Sequence, residues 1–271
     1  MHGLGNDFVV IDRRSQAFSP SPELLRSYAD RRTGIGFDQL LLIDPPTGDT
    51  DVDWQIFNAD GSEAGQCGNG ARCVAALVAG FRARRVSLAG RAGRLEAEVQ
   101  ADGLVAVAMG VPDFRPSALP FDPAAAGATS ADGVYTMQAD GDAVDFGAVS
   151  VGNPHVVIEV ADVATAPVSE WGPRLEYHPA FPERTNVGFA QRLADDRIAL
   201  RVWERGSGET RACGSGACAA AAVLRARGVT AQRVTVTLPG GALTIAWPGE
   251  GQRLWMTGPA TRVYEGTIAS T

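Results

Sequence analysis

An internal duplication constrains this 271-residue chain more than any other feature. Cys67-Gly68-Asn69-Gly70-Ala71 returns as Cys213-Gly214-Ser215-Gly216-Ala217, with a glutamate, Glu63 or Glu209, four residues ahead of each cysteine. Two further pairs occur in the same order. Gly5-Asn6-Asp7-Phe8-Val9-Val10 resembles Gly152-Asn153-Pro154-His155-Val156-Val157, and Gly36-Phe37-Asp38-Gln39 resembles Gly188-Phe189-Ala190-Gln191. The period is domain-sized, well above the ~20–50 residues of solenoid arrays, so it predicts two related domains. Pro112, Pro116, Pro120 and Pro123, set among Ala, Gly and Asp between Val111 and Gly133, read as the linker. The expected domains are 1–112 and 113–257.

Each half is mostly strand. Asp51–Phe57, Leu104–Met109, Ile198–Trp203 and Arg233–Leu238 show β-branched enrichment or alternation. Short helices are predicted at 22–32 and 169–178. The stretches after the cysteines, Ala71–Phe81 and Ala217–Arg227, are rich in Ala, Leu and Val with no internal proline. They predict helices that are apolar around their circumference and therefore central, with Gly80 and Gly228 near their C-termini. The fold class is α+β: two pseudo-symmetric domains, each a β-barrel-like sheet wrapped around a central helix.

Composition narrows the chemistry. All 24 basic residues are arginine, so no lysine Schiff base can form and an ordinary pyridoxal-phosphate enzyme is excluded. No cofactor is expected. The net charge of −7 carries no long run of one sign, and Arg82, Arg84 and Arg85 read as a solvated turn rather than a nucleic-acid site. No apolar run approaches the ~20 residues of a membrane span, and the start lacks a basic and apolar leader pattern. A cytoplasmic protein with neither nucleic-acid nor membrane partners is expected. The cysteine spacings, C-x5-C and C-x4-C, fit zinc sites poorly, so no metal is expected. Cys73 and Cys218 lie well inside the predicted helices and are expected to pack in the interior.

A cysteine at the start of such a helix has a chemical consequence. Cys-Gly-x-Gly places backbone N–H groups and the positive end of the helix dipole beside the sulfur. A carboxylate can dock there, and the dipole is expected to acidify the thiol from ~8.5 toward ~3.5–7.5. Two related domains facing one cleft would set one α-carbon between two sulfurs. One thiolate would take the α-proton from one face, the opposite thiol would return a proton to the other, and the stereocentre would invert.

The motifs themselves resemble a known family. Asn58-Ala59-Asp60-Gly61-Ser62-Glu63 with Gln66-Cys67-Gly68-Asn69-Gly70-Ala71-Arg72-Cys73 is similar to the first signature of diaminopimelate epimerases. Glu204-Arg205-Gly206, Gly208-Glu209-Thr210 and Ala212-Cys213-Gly214-Ser215-Gly216-Ala217-Cys218 are similar to the second. Gly3–Val10, Gly152–His155, Pro182–Gly188 and Thr257–Ala260 extend the resemblance over essentially the whole chain. It implies Cys67 and Cys213 as the catalytic pair, with Gly68, Asn69, Gly214 and Ser215 binding the reacting carboxylate. Asn58, Asn153, Asn186, Glu204 and Arg205 would read the distal amino-acid end, Asn6 and Gln39 would complete the pocket, and His155 and Glu204 would tune the thiols. It further implies a last strand, 258–271, returning to the first domain, and a homodimer with Tyr264 near its contact. The substrate would be diaminopimelate, placing the reaction in lysine and peptidoglycan-precursor synthesis. Family members usually carry a few residues before Met-His-Gly, so either the start is assigned late or the first strand is short here. A proline or hydroxyproline racemase of the same architecture would keep both cysteines but needs no reader for a distal zwitterion. A same-fold isomerase without cysteine chemistry is disfavoured by the cysteines themselves, and a non-catalytic metal or redox protein would use the four cysteines differently.

Overall fold

The computed structural model describes residues 1–125, 129–131, 133–139 and 141–268. They fall into two compact units. The first comprises Met1–Val107 and the chain from Gly258 onward; the second comprises Ala108–Thr257.

The first unit runs β1 (His2–Gly3), β2 (Asn6–Asp12), α1 (Pro22–Ala29), β3 (Gln39–Asp44), β4 (Val52–Asn58), β5 (Glu63–Ala64), α2 (Gly68–Val78), β6 (Arg84–Gly90), β7 (Gly93–Val99) and β8 (Val105–Ala108). Helix α1 starts where Ser21 caps the Leu24 N–H at 3.2 Å and Pro22 supplies the first helical residue. It stops at Ala29, short of the predicted 32, because the Asp30 carboxylate accepts the Arg32 and Thr33 N–H groups and turns the chain. Strand β2 is parallel to β3, β3 is antiparallel to β4, β4 is antiparallel to β5 and parallel to β6, and β6, β7 and β8 are antiparallel neighbours.

The second unit opens with β9 (Thr129–Ala131), β10 (Val134–Ala139) and β11 (Asp142–Ser150). It then repeats the first: β12 (Pro154–Glu159), α3 (Val168–Glu176), β13 (Asn186–Ala194), β14 (Arg197–Glu204), β15 (Gly208–Thr210), α4 (Gly214–Ala226), β16 (Arg233–Leu238), β17 (Gly241–Ala246) and β18 (Trp255–Gly258). The directions repeat strand for strand: β12 parallel to β13, β13 antiparallel to β14, β14 antiparallel to β15 and parallel to β16, then β16, β17 and β18 antiparallel. The architecture is α+β, mostly sheet with four α-helices among the described residues.

The ladders correct one of the sequence pairings. Phe8 lies opposite Gln39 where β2 meets β3, and His155 lies opposite Asn186 where β12 meets β13. Gln39 therefore corresponds to Asn186, and the match of Gly36–Gln39 with Gly188–Gln191 is not the structural one. Short Gly-Phe identities are easily met by chance, whereas parallel register is fixed by backbone hydrogen bonds.

The two central helices explain why the rest of each unit forms. From Gly216 to Leu224 every residue of α4 is buried, as is Asn69–Ala76 of α2. Helix α2 packs against β1, β2, β3, β6 and β7, and α4 against β11, β12, β13, β14, β16 and β17. Both end in the same way. Gly80 (φ 59°) and Gly228 (φ 70°) adopt the left-handed conformation, with paired closing bonds Gly80 N–H to Leu77 O and Phe81 N–H to Ala76 O, and Gly228 N–H to Arg225 O and Val229 N–H to Leu224 O. This glycine ends α2 before the predicted Phe81.

The proline-rich stretch 111–133 is not a linker over its described part; residues 126–128 and 132 lie outside the described residues. Leu119 and Phe121 are buried in the core of the second unit beneath α3, and Phe121 stacks on Phe181 at 4.7 Å between ring centroids. A few large apolar side chains outweigh the loop-like composition around them.

Strand β11 passes so close to α4 that a Cβ on Gly147 would lie 2.3 Å from Val223 Cγ1. Gly147→Ala is expected to destabilise the fold by about 1–3 kcal/mol through overpacking, read as a lower urea midpoint with unchanged slope.

Candidate active site

Each unit builds the same small constellation at the start of its central helix. In the first, Cys67 is the N-cap of α2, and its Sγ accepts the Gly70 N–H at 3.3 Å. The thiol faces Asn6 Oδ1 at 3.9 Å, and Asn69 Nδ2 donates to the same oxygen at 3.2 Å. In the second, Cys213 is the N-cap of α4, and its Sγ accepts the Gly216 N–H at 3.3 Å. Ser215 Oγ lies 3.6 Å from that sulfur, and Asn153 Nδ2 donates to Ser215 Oγ at 3.4 Å. Asn6 pairs with Asn69 as Asn153 pairs with Ser215, so the duplication extends to the side chains around the thiols. Gly68 and Gly214 open the two helices.

A second ring of polar side chains stands at the strand ends. Gln39 Nε2 donates to Asn58 Oδ1 at 2.9 Å, while Gln39 Oε1 is buried with no hydrogen-bond partner among the described residues. A buried acceptor left open in this way is rare in a folded protein. The corresponding residues of the second unit are Asn186 and Glu204. Asn186 Nδ2 donates to Pro154 O at 2.8 Å and its Oδ1 accepts the Arg205 N–H at 3.1 Å. Glu204 accepts from Thr210 Oγ1, and Arg205, exposed to solvent, donates from Nη1 to Glu183 O at 2.9 Å. Glu63 and Glu209 instead form ion pairs with Arg91 and Arg201.

Electrostatics departs from the sequence expectation at Cys213. Its pKa is raised well above the ordinary thiol range rather than lowered. Burial is the largest cause and the Glu204 charge the next; the contacts from Ser215 and the Gly216 N–H pull it down by less. A helix terminus acts on the thiol locally, but loss of water acts on every side of it. Glu204 thus stands against Cys213. His155 bonds to Asn153 Oδ1 through Nε2 at 3.1 Å and reaches Cys213 only by way of Asn153 and Ser215. Burial, helped by the Arg205 charge, drives the His155 pKa down to about 3. Cys73 and Cys218 are buried inside their helices, and burial pushes Cys73 up to about 12.

One residue of this region carried a signal that the sequence reading passed over. Arg72 is a lone charge in an apolar helix and is fully buried. It donates from Nη2 to Asn69 Oδ1 at 2.9 Å and from Nε to Pro259 O at 3.2 Å, tying the returning C-terminal segment to the first turn of α2. Among the described residues no three His, Cys, Asp or Glu side chains are grouped to hold a metal, and no helix is long and apolar enough to cross a membrane.

Two outcomes follow. Glu204→Gln removes the negative charge beside Cys213, so thiolate at that site, followed by its ultraviolet absorbance, is expected to appear at lower pH than in the parent protein. His155 is neutral in the fold, while the unfolded chain takes up a proton below its ordinary value of 6.5. Its contribution is therefore lost as pH falls from 6.5 toward about 3. The slope is at most about 1.4 kcal/mol per pH unit, and it should vanish from the urea midpoints of His155→Phe.

The chain aligns with a hydroxyproline epimerase from Agrobacterium vitis, solved with bound trans-4-OH-L-proline, at 19% identity over 95% of this chain and 87% of that one, with a TM-score of 0.65. It aligns with a structure described as a probable proline racemase from Agrobacterium radiobacter K84 at 18% identity over 99% and 91%, TM-score 0.68. A methylitaconate-delta-isomerase aligns at 16% identity over 98% and 93%, TM-score 0.63. These likenesses establish a shared fold. The sequence pattern described as diaminopimelate epimerase matches residues 1–115 and 147–263, and the chain belongs to that family of epimerases.

Proposed function

We propose that this protein is a diaminopimelate epimerase, interconverting the LL and meso forms of 2,6-diaminopimelate without a cofactor. The observation that carries the reading is the paired Cys-capped helix start, with a polar reader added in one half only. The reacting carboxylate docks on the backbone N–H groups of Gly68, Asn69, Gly214 and Ser215. There the helix dipoles stabilise charge as the α-carbon loses its proton. Cys67 accepts that proton as thiolate, and Cys213, whose pKa burial and the Glu204 charge push up, donates to the opposite face. One S–H bond forms and one breaks, the C–H bond is replaced on the other face, and the reverse reaction exchanges the roles.

The distal amino-acid group explains the difference between the halves. Where the first unit has Phe8, Asn58 and Ala59, the second has His155, Glu204 and Arg205. A guanidinium reads a carboxylate with two parallel bonds, Glu204 accepts from an ammonium, and Asn58, Asn153 and Asn186 supply both donors and acceptors. Asn6 and Gln39 complete the pocket, and the open Gln39 Oε1 is an acceptor for a substrate ammonium. A homodimer belongs to the same reading, with the exposed Tyr264 near its contact. The likeness to proline and hydroxyproline enzymes favours a second reading, a racemase of a cyclic amino acid. Such a substrate has no second amino-acid group for Glu204 and Arg205 to bind.

The deciding experiment is α-proton exchange in D2O with reduced protein and no added cofactor. With LL-diaminopimelate, loss of the α-proton signal and appearance of the meso isomer is the expected result. Exchange with L-proline or hydroxyproline alone would replace this reading with the second. Cys67→Ala and Cys213→Ala should each lower epimerisation by ~10²–10⁴-fold with the circular dichroism spectrum retained. Normal turnover in either variant would sink the two-thiol mechanism.

A further inference from the structure

Glu176 breaks two local rules at once. It is the last residue of α3, where the helix dipole disfavours a negative charge, and it is 1% exposed. Its carboxylate is fully engaged. Oε2 accepts the Trp203 indole N–H at 2.7 Å, Oε1 accepts the Gly206 backbone N–H at 2.9 Å, and Arg184 Nη1 lies 3.9 Å from Oε1. Trp203 and Gly206 bracket Glu204 and Arg205. The indole lies flat enough against α3 that a Cβ on Gly172 would sit 2.5 Å from its Cγ.

The duplication provides an internal comparison. The first unit ends the corresponding helix α1 with Ala29 and has Phe57 where the second has Trp203, and both belong to an apolar cluster with Leu25 and Leu40. The same ladder and helix thus form without a carboxylate and without an indole N–H. The carboxylate belongs to what the second unit does differently.

We propose that Glu176 is a positioning residue for substrate specificity: by clamping Trp203 and Gly206 it fixes the Glu204–Arg205 turn that reads the second amino-acid group of the substrate. The inference rests on the proposed function, and its geometric part can be read without any substrate. With the turn clamped, the Arg205 N–H meets Asn186 and the Glu204 carboxylate is held toward Cys213.

Glu176→Gln keeps the shape but turns an amide NH2 toward one of the two donors. Trp203→Phe keeps a ring that the first unit already accommodates at the equivalent position. Hydrogen exchange followed by mass spectrometry should show faster exchange in peptides spanning 203–208 in both variants, with α4 and β16 unchanged. On diaminopimelate, both should raise KM by ~10-fold or more while kcat changes less than ~3-fold, the pattern of lost ground-state binding. Unchanged exchange at 203–208 in a folded Glu176→Gln variant would overturn the clamp. Faster exchange with unchanged KM would overturn its role in specificity. A residue that merely supports the fold would lower the melting temperature and the active fraction at constant KM, which also counts against the proposal. If the parent protein does not turn over diaminopimelate, the substrate reading fails, and the exchange result alone decides whether Glu176 sets the turn.

Discussion

The two central helices are buried around most of their circumference, and the first N–H groups of any helix have no partners within it. In both units the acceptor at this point is a cysteine sulfur, 3.3 Å from the N–H three residues on. The arrangement fixes much else. Glycines follow the cysteine because the neighbouring elements crowd the first turn: a Cβ on Gly70 would lie 3.2 Å from Leu41, and one on Gly216 would lie 2.9 Å from Val202. Asn69 and Ser215 occupy the second turn position and carry the link to Asn6 and Asn153. The strands surround the helix because an Ala- and Val-rich cylinder offers no face to water.

The two units keep that frame and differ in what they add to it. The first places a buried guanidinium, Arg72, where the second has Cys218; the second places carboxylates, Glu204 and Glu176, where the first has Asn58 and a helix-ending alanine.

What the sequence made legible was whatever depends on short spans. The cysteine motifs, the two apolar helices, their glycine ends and the longer strands are local patterns, and the candidate site residues were named because they stand inside those motifs. Less legible was what depends on meeting partners far along the chain. Gln39 was matched with Gln191 because identity was visible and register was not. Leu119 and Phe121 were read as linker because their prolines are local and their core is not. The dipole at Cys213 was foreseen, but the burial that outweighs it comes from surrounding strands, and Glu176 looked like any solvated glutamate at a helix end.

The state of Cys213 has a consequence for the survival of the protein. Peroxide attacks a thiolate far faster than a thiol, and a sulfur oxidised beyond the sulfenic stage is lost to catalysis. Burial and the Glu204 charge both push the pKa of this thiol up. The burial and the Glu204 charge that raise the Cys213 pKa therefore disfavour the form of this sulfur that oxidants attack.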